Sequence, residues 1–414
     1  MPPIVRALAH RNYRIYFSGQ LVALTGTWMQ QMALIWLTYR ITNSTFMLGL
    51  ITFAGQVPLL VLSPLGGVLS DRFERRTLLL WTQWLALVQA SLLALLAFTV
   101  PLQAWMLIVL ALCLGLINAI DQPVRQSFVA ELVDRPEDIA NAVALNSVTI
   151  HSTRFVGPAI GGVVVTLVGE GVCFILNALS FLAMIVALRA IRPRTLPRRH
   201  HSVLEGLRAG FRYAYEDQRI RVLLLLATFM SLFGMAPMTL LPWFAKNVFA
   251  GEAQTYGFLS AAGGIGSFMG ALFLASRIDA AAIQRNIGHA TLIAALMLFA
   301  LSFTSDFWLA MAELAVLGFC TINAVAASNA VIQSAVNDEM RGRVMAIFTV
   351  AFFGMTPLGS LGVGTASKLL GPRPTMFVCS LVILAVGIFV FVFLKRYASH
   401  PSPGRSAQAS ESGG

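Results

Sequence analysis

Twelve long apolar runs dominate the chain, and ten of them contain no Asp, Glu, Lys or Arg. About 17–25 apolar residues suffice to cross a bilayer as a helix. The runs fall at 15–39, 46–70, 77–100, 102–120, 139–169, 171–188, 222–245, 253–276, 286–305, 307–337, 344–367 and 374–394. Lipid offers backbone polar groups no partner, so each run must close its own hydrogen bonds as a helix. Composition removes the alternatives. Only 11% of residues are charged, against ~25% in ordinary soluble domains. At 57% hydrophobic, the chain buries enough apolar surface to exclude disorder. The fold class expected is an all-α polytopic membrane protein of 12 transmembrane helices.

The net charge of +11 comes from 26 Arg and 3 Lys against 18 acids. In a soluble protein this excess would suggest nucleic acid; here its placement sets orientation. One side of the twelve-span topology carries 24 Lys and Arg and the other carries 4, with Arg154 inside span five. Positive charge is retained inside, so both termini are expected in the cytoplasm and the protein in a bacterial inner or plasma membrane. The four cysteines, Cys113, Cys173, Cys320 and Cys379, lie in apolar runs without metal-ligand spacing. They read as buried hydrophobes, and no metal or cofactor is expected.

The basic stretch after Arg189 divides the chain into residues 1–191, an N-terminal six-helix bundle, and 222–396, a C-terminal one. Between them, 192–221 is expected to be a cytoplasmic linker. Ser202 and Glu205 have capping-box spacing. Leu204, Leu207, Phe211 and Tyr215 then oppose Arg208 and Arg212, predicting an amphipathic helix on the membrane surface. Residues 397–414 are expected to be a disordered cytoplasmic tail.

The halves match weakly at a shift of about 207: Arg14 with Arg221, Cys113 with Cys320, and Gln126-Ser-Phe-Val129 with Gln333-Ser-Ala-Val336. Two parallel six-helix repeats characterise alternating-access transporters, with substrate near the midplane between them. Small-xxx-small pairs permit close helix approach. They occur at Ser63/Gly67, Gly157/Gly161, Gly266/Gly270 and Ser360/Gly364. Spans two, five, eight and eleven are therefore expected to join the halves.

Gly67-Val-Leu-Ser-Asp71-Arg72-Phe-Glu-Arg75-Arg76 resembles the GxxxDRxGRR loop motif of the major facilitator superfamily, with Glu74 at a usual glycine. The resemblance implies the major facilitator fold and a gating latch in which a carboxylate pairs with arginine or a helix N-terminus. The matching second-half stretch, Gly270 to Arg277, has Ser276 in place of the aspartate. Gly157-Pro158-Ala-Ile-Gly161-Gly162 is similar to the GPxxGG helix motif of drug:proton antiporters in that superfamily. A purely structural kink is the alternative reading. Gly26-Thr27-Trp28-Met29-Gln30, Asn141 to Ser147 and Asp338-Glu-Met-Arg-Gly-Arg343 narrow the likeness to enterobactin exporters and macrolide efflux proteins, over roughly residues 10–395. Span four lacks the cavity arginine of many such relatives.

Charges within the membrane are costly and mark function by default. Glu313, a quarter of the way into span ten, is the first proton-coupling candidate, because this fold is expected to line its cavity with that helix. His151 and Asp121 come next; Asp121 is also placed to meet the arginines of loop 2–3. Arg154, one turn beyond His151, is a candidate for substrate binding or conformational coupling; a carbonyl-capping role is its alternative. Gln30, Gln31, Asn118, Asn146 and Asn323, with Gln20, would contact substrate or simply join helices. The leading function is a proton-coupled exporter of small amphipathic molecules, drug or siderophore, acting as a monomer. An importer or lysophospholipid flippase of the same fold is the alternative, and a non-transporting receptor a distant one. No GxxxxGK[ST], HExxH or GxSxG is present, so neither an ATP-driven pump nor an enzyme is expected.

Overall fold

In the computed structural model, residues 3–192, 203–277 and 280–399 are described, and all twelve expected runs are helical. The spans, numbered one to twelve, are Arg11–Thr42, Thr45–Arg72, Arg75–Thr99, Ala104–Phe128, Ile139–Val168, Glu170–Ala190, Gln218–Asn247, Ala253–Ala275, Ala280–Phe303, Phe307–Ala335, Glu339–Leu370 and Pro372–Ser399. Eleven are apolar enough to cross a membrane on hydropathy alone. Span one is the exception because it carries Gln20, Gln30 and Gln31; Gln20 and Gln30 are nonetheless buried.

Local chemistry sets the ends. Ser44 accepts a hydrogen bond from the Met47 amide to cap span two, and Asp306 accepts from the Leu309 amide at 2.7 Å to cap span ten, each satisfying an orphan donor. Gly169 (φ 86°) joins spans five and six, and Gly371 (φ 90°) joins eleven and twelve. This conformation suits glycine alone, and its recurrence at the same hairpin reflects two six-helix pseudo-repeats.

Spans seven and eleven are not continuous α-helices. Each contains a π-helical stretch, Met230–Met235 and Val350–Gly354. Such turns misalign carbonyls with the i−4 ladder, and the two spans satisfy each other there. The Ser231 hydroxyl donates to the Phe352 carbonyl and lies 2.8 Å from the Thr356 hydroxyl, while Thr239 donates to Ser360 at 3.1 Å.

The halves meet along two seams, span five on span eight and span two on span eleven. In the first, a Cβ on Gly162 would lie 2.9 Å from the Ala253 carbonyl and 3.1 Å from the Gly257 Cα. In the second, a Cβ on Gly364 would lie 2.9 Å from the Thr45 carbonyl and 3.0 Å from the Gly49 Cα. The four expected helices are thus the ones in contact, but the faces differ from expectation. Gly157 and Gly161 pack on Trp28 and Met29 of span one, and Gly266 and Gly270 on span ten. Only Ser360/Gly364 lies on a seam, because spacing selects a helix face without naming its partner.

The helix Val203–Glu216 follows the basic linker. Gly210 and Ala214 dock it on the start of span eleven, where a Gly210 Cβ would lie 2.9 Å from the Arg343 Cβ. Phe211 and Tyr215 remain exposed, and Arg212 pairs with Glu216. The expected capping box at Ser202 and Glu205, the side chains of Leu204, Leu207 and Arg208, and the tail beyond Ser399 lie outside the described residues.

Candidate functional site

The bundle has a terminal face, where the described residues at Pro3, Arg192, Val203 and Ser399 lie, and a far face. Among the described residues, the polar and ring contacts joining the halves run from mid-depth to the far face. Near that face Asn247 donates to the Tyr39 hydroxyl at 2.6 Å, and the Gln254 amide to Thr166 at 3.0 Å. Trp36 stacks on Tyr256 with ring centroids 6.4 Å apart. The Lys246 ammonium lies over the Tyr39 ring and Lys368 over Phe46. The innermost ring contact is Phe155 against Phe268, at 5.8 Å. It lies midway along span five, and among the described residues no polar or ring contact joins the halves nearer the terminal face.

Arg154 immediately precedes Phe155. Its guanidinium lies 5.0 Å from the centroid of Trp28 in span one, a cation–π contact that holds the plane without consuming its N–H edge. No carboxylate pairs with it among the described residues. His151, one turn nearer the terminal face, is half-buried with a buried Nδ1 that has no hydrogen-bond partner there. A permanent cation, a spare imidazole nitrogen and an indole face therefore converge where the seam ends. Such a set can receive an anionic or hydrogen-bonding group. The Gly157-Pro158-Ala-Ile-Gly161-Gly162 run positions it. Gly157 and Gly161 let span one approach, and Pro158 and Gly162 form the seam with Gly257.

Most of the amide candidates have protein partners. Gln20 donates to Asn146 at 2.8 Å. Gln30 donates to Gln89 at 3.2 Å and accepts from Asn177 at 2.9 Å, linking spans one, three and six. Asn323 accepts from Asn286 at 3.2 Å and donates to the Phe319 and Gly270 carbonyls. Gln31 and Asn118 are half-buried. Sequence reading missed Gln89 and Asn177, whose isolated amides in apolar runs carried no spacing signal.

Glu313 is buried, with its carboxylate 2.8 and 2.9 Å from the Thr304 hydroxyl in the turn between spans nine and ten. Arg373 closes that turn by donating to the Thr304 carbonyl and the Ser305 hydroxyl. The carboxylate thus sits at the sealed far end. Asp121 lies deeper than expected because span four continues to Phe128. It accepts from Thr82 at 2.7 Å, Gln83 at 2.8 Å and Arg125, whose nitrogens are 2.7 and 2.9 Å away. This i, i+4 pair, legible in the sequence but not read, lets a charged segment stay helical inside the bundle. It also occupies Asp121, which was expected to meet the loop 2–3 arginines.

Those arginines have other partners. Arg75 pairs with Glu131 at 2.6 Å and donates to Ser70. Arg76 donates to the Leu188 and Arg189 carbonyls, capping span six where helix carbonyls run out. Arg72 is exposed, and a Cβ added at Gly67 would meet nothing within 4 Å among the described residues; the Asp71 side chain lies outside the described atoms.

Comparison with known proteins fits this architecture. The family model for transmembrane secretion effectors matches residues 5–405. The staphyloferrin A transporter of Staphylococcus aureus is 24% identical over 395 residues, covering 92% of this chain and 96% of the relative. The multidrug efflux pump Tap of Mycolicibacterium fortuitum is 25% identical over 390 residues, 91% and 94% respectively. A bacterial homologue of the human lysosomal transporter Spinster, solved inward-facing and unoccupied, superposes with a TM-score of 0.74 at 15% identity, covering 95% of this chain and 99% of that one. At that identity the likeness speaks for the fold alone.

Proposed function

The chain belongs to the transmembrane secretion effector family of the major facilitator superfamily, and from that premise we propose that it is a proton-coupled exporter of small amphipathic molecules. Residues 1–191 and 222–396 rock as two bundles within one monomer, with both termini in the cytoplasm. The 24-to-4 distribution of Lys and Arg supports that orientation. The terminal face is then cytoplasmic, and the far-face contacts down to Phe155 and Phe268 hold a loading state closed to the outside.

The observation that carries export is the role of the GPAIGG run: Pro158 and Gly162 form the backbone seam with Gly257 that must open for release. The similar protein Tap is a multidrug efflux pump, which is consistent with it. Arg154, with His151 and Trp28, receives the substrate or couples its presence to the seam. Glu313 carries the proton, because a buried carboxylate can bind and release one whereas arginine stays charged. Asp71 latches the loop between spans two and three.

Direction is tested in cells expressing the protein against cells lacking it, over a panel of toxic compounds and secreted siderophores. Expressing cells should accumulate less of the exported compound, and collapsing the proton gradient should erase the difference. Uphill uptake of that compound would make the protein an importer. Movement of lysophospholipid between leaflets, with no effect on the panel, would make it a flippase.

A further inference from the structure

The loop between spans eight and nine is the counterpart of the Asp71–Arg76 loop, yet its arginines stand differently. A cavity of about 230 Å³ lies at the terminal ends of these spans, lined by Phe273, Arg277, Ile283, Arg285, Asn286 and His289 among others. Arg277 lies 4.6 Å over the Phe273 ring, so its N–H edge is oriented but not consumed. Whereas Arg75 and Arg76 bind a carboxylate and helix carbonyls, neither Arg277 nor Arg285 has such a partner among the described residues. Ser276 occupies the place of the motif's aspartate, and its hydroxyl turns back to the Phe273 carbonyl at 2.7 Å. The loop's own acid, Asp279, lies outside the described residues.

The remaining wall is firm. His289 sets its Nδ1 2.9 Å from the Arg285 carbonyl, which leaves Nε2 free, and its ring meets Phe391 edge-on. Asn286 is fastened to Asn323 of span ten. Phe273, Leu274 and Ile283 form the apolar part of the pocket wall.

We infer that this pocket holds the phosphate headgroup of an anionic membrane lipid, with the start of an acyl chain against Phe273, Leu274 and Ile283. Two guanidiniums give planar, bidentate donors that match phosphate oxygens. Basic pockets between helices at a membrane surface bind such headgroups. The apolar wall distinguishes a lipid from free phosphate, which has nothing to place there. With Ser276 where the motif has aspartate, the loop carries one acid fewer to compete with an external anion.

The test uses full-length protein purified in detergent, with phosphatidylglycerol or phosphatidylcholine added and bound lipid counted by native mass spectrometry. Wild type should retain one phosphatidylglycerol about thirtyfold more tightly than phosphatidylcholine, from two arginines at about 1 kcal/mol each near the headgroup. Arg277→Gln/Arg285→Gln should lose that one lipid while leaving any others, since both side chains are exposed and their removal opens no core. Ser276→Asp keeps every cation but supplies an internal anion, and it should also lower occupancy. An unchanged lipid count in both variants would overturn the site. Displacement of the lipid by millimolar inorganic phosphate would reassign it to free phosphate.

Discussion

Two buried carboxylates within the spans, Asp121 and Glu313, are equally hidden, at 5% and 7% exposure, but differently answered. Asp121 meets a guanidinium, a hydroxyl and an amide; Glu313 meets the single neutral hydroxyl of Thr304. A buried charge needs a counter-charge or must neutralise itself. Asp121 has the first solution built in, so protonating it would strand Arg125. For Glu313, protonation removes a charge and strands nothing. Burial alone therefore does not single out a proton carrier; the partners differ, and they support the proposal that Glu313 couples while Asp121 is structural.

The largest expected effect tests the structural member. Asp121→Asn leaves Arg125 buried without its counter-charge, a loss of about 3–5 kcal/mol. Thermal unfolding in detergent should show it as a markedly lower midpoint, and Asp121→Leu/Arg125→Met should recover most of the loss. If Asp121→Asn is as stable as wild type but no longer couples to protons, the two residues exchange roles and the comparison breaks.

Glu313→Gln should do the reverse. The amide keeps a hydrogen bond to Thr304, so the stability change should stay within about 1 kcal/mol. Gradient-driven export should disappear while substrate binding and non-concentrative exchange persist. Proteoliposomes with an imposed pH gradient decide it. If Glu313→Gln still concentrates substrate, the proton travels elsewhere, and His151 is the next residue to test.

A smaller effect is expected from Arg154→Ala, because Arg154 is the basic counterpart of Glu313: among the described residues its charge is answered by the Trp28 ring and by no carboxylate. A charge-assisted hydrogen bond contributes about 1.5–3 kcal/mol, so affinity for an anionic substrate should fall ten- to a hundredfold by equilibrium binding. Affinity unchanged, with transport lost, would place Arg154 in conformational coupling instead.

The sequence made the twelve spans legible because lipid imposes one rule on every buried backbone group, and the helix limits follow the apolar runs to within a few residues. Span four is the instructive exception: its expected end at Ile120 fell where charge begins, but Asp121 and Arg125 neutralise each other and the helix continues to Phe128. Side-chain partnership was less legible. Gln20, Gln30, Asn146 and Asn323 look alike in sequence to a substrate-binding amide. Only three-dimensional pairing reveals Gln30 held by Gln89 and Asn177. The π-helical stretches of spans seven and eleven gave no signal, since they depend on the Ser231–Phe352 contact between distant segments.

The smallest effect carries the comparison into solvent. His10, just before span one, sets Nδ1 2.9 Å from Asp134 and Nε2 2.9 Å from Asp138, the latter also bound by Arg6 at 2.6 Å. Partial burial disfavours the charged ring, but hydrogen bonds and attraction from the two carboxylates outweigh it and raise the His10 pKa above its ordinary 6.5. A raised folded-state pKa means that the stabilisation is fully present below pH 6.5 and is lost as pH climbs through the raised value. Asp134 is 77% exposed, so water and salt screen its arm of the cluster, and Asp138 keeps Arg6 as a counter-charge without the imidazole, so the contribution of His10 is small. His10→Gln should lower the unfolding midpoint slightly at about pH 6, less in added salt, and leave it unchanged at about pH 9. An equal loss at both pH values would reduce the imidazole to a packing group. A loss matching that of Asp121→Asn would show that exposure does not weaken ion pairs in this bundle, and the assignment of roles by partner and burial would fall with it.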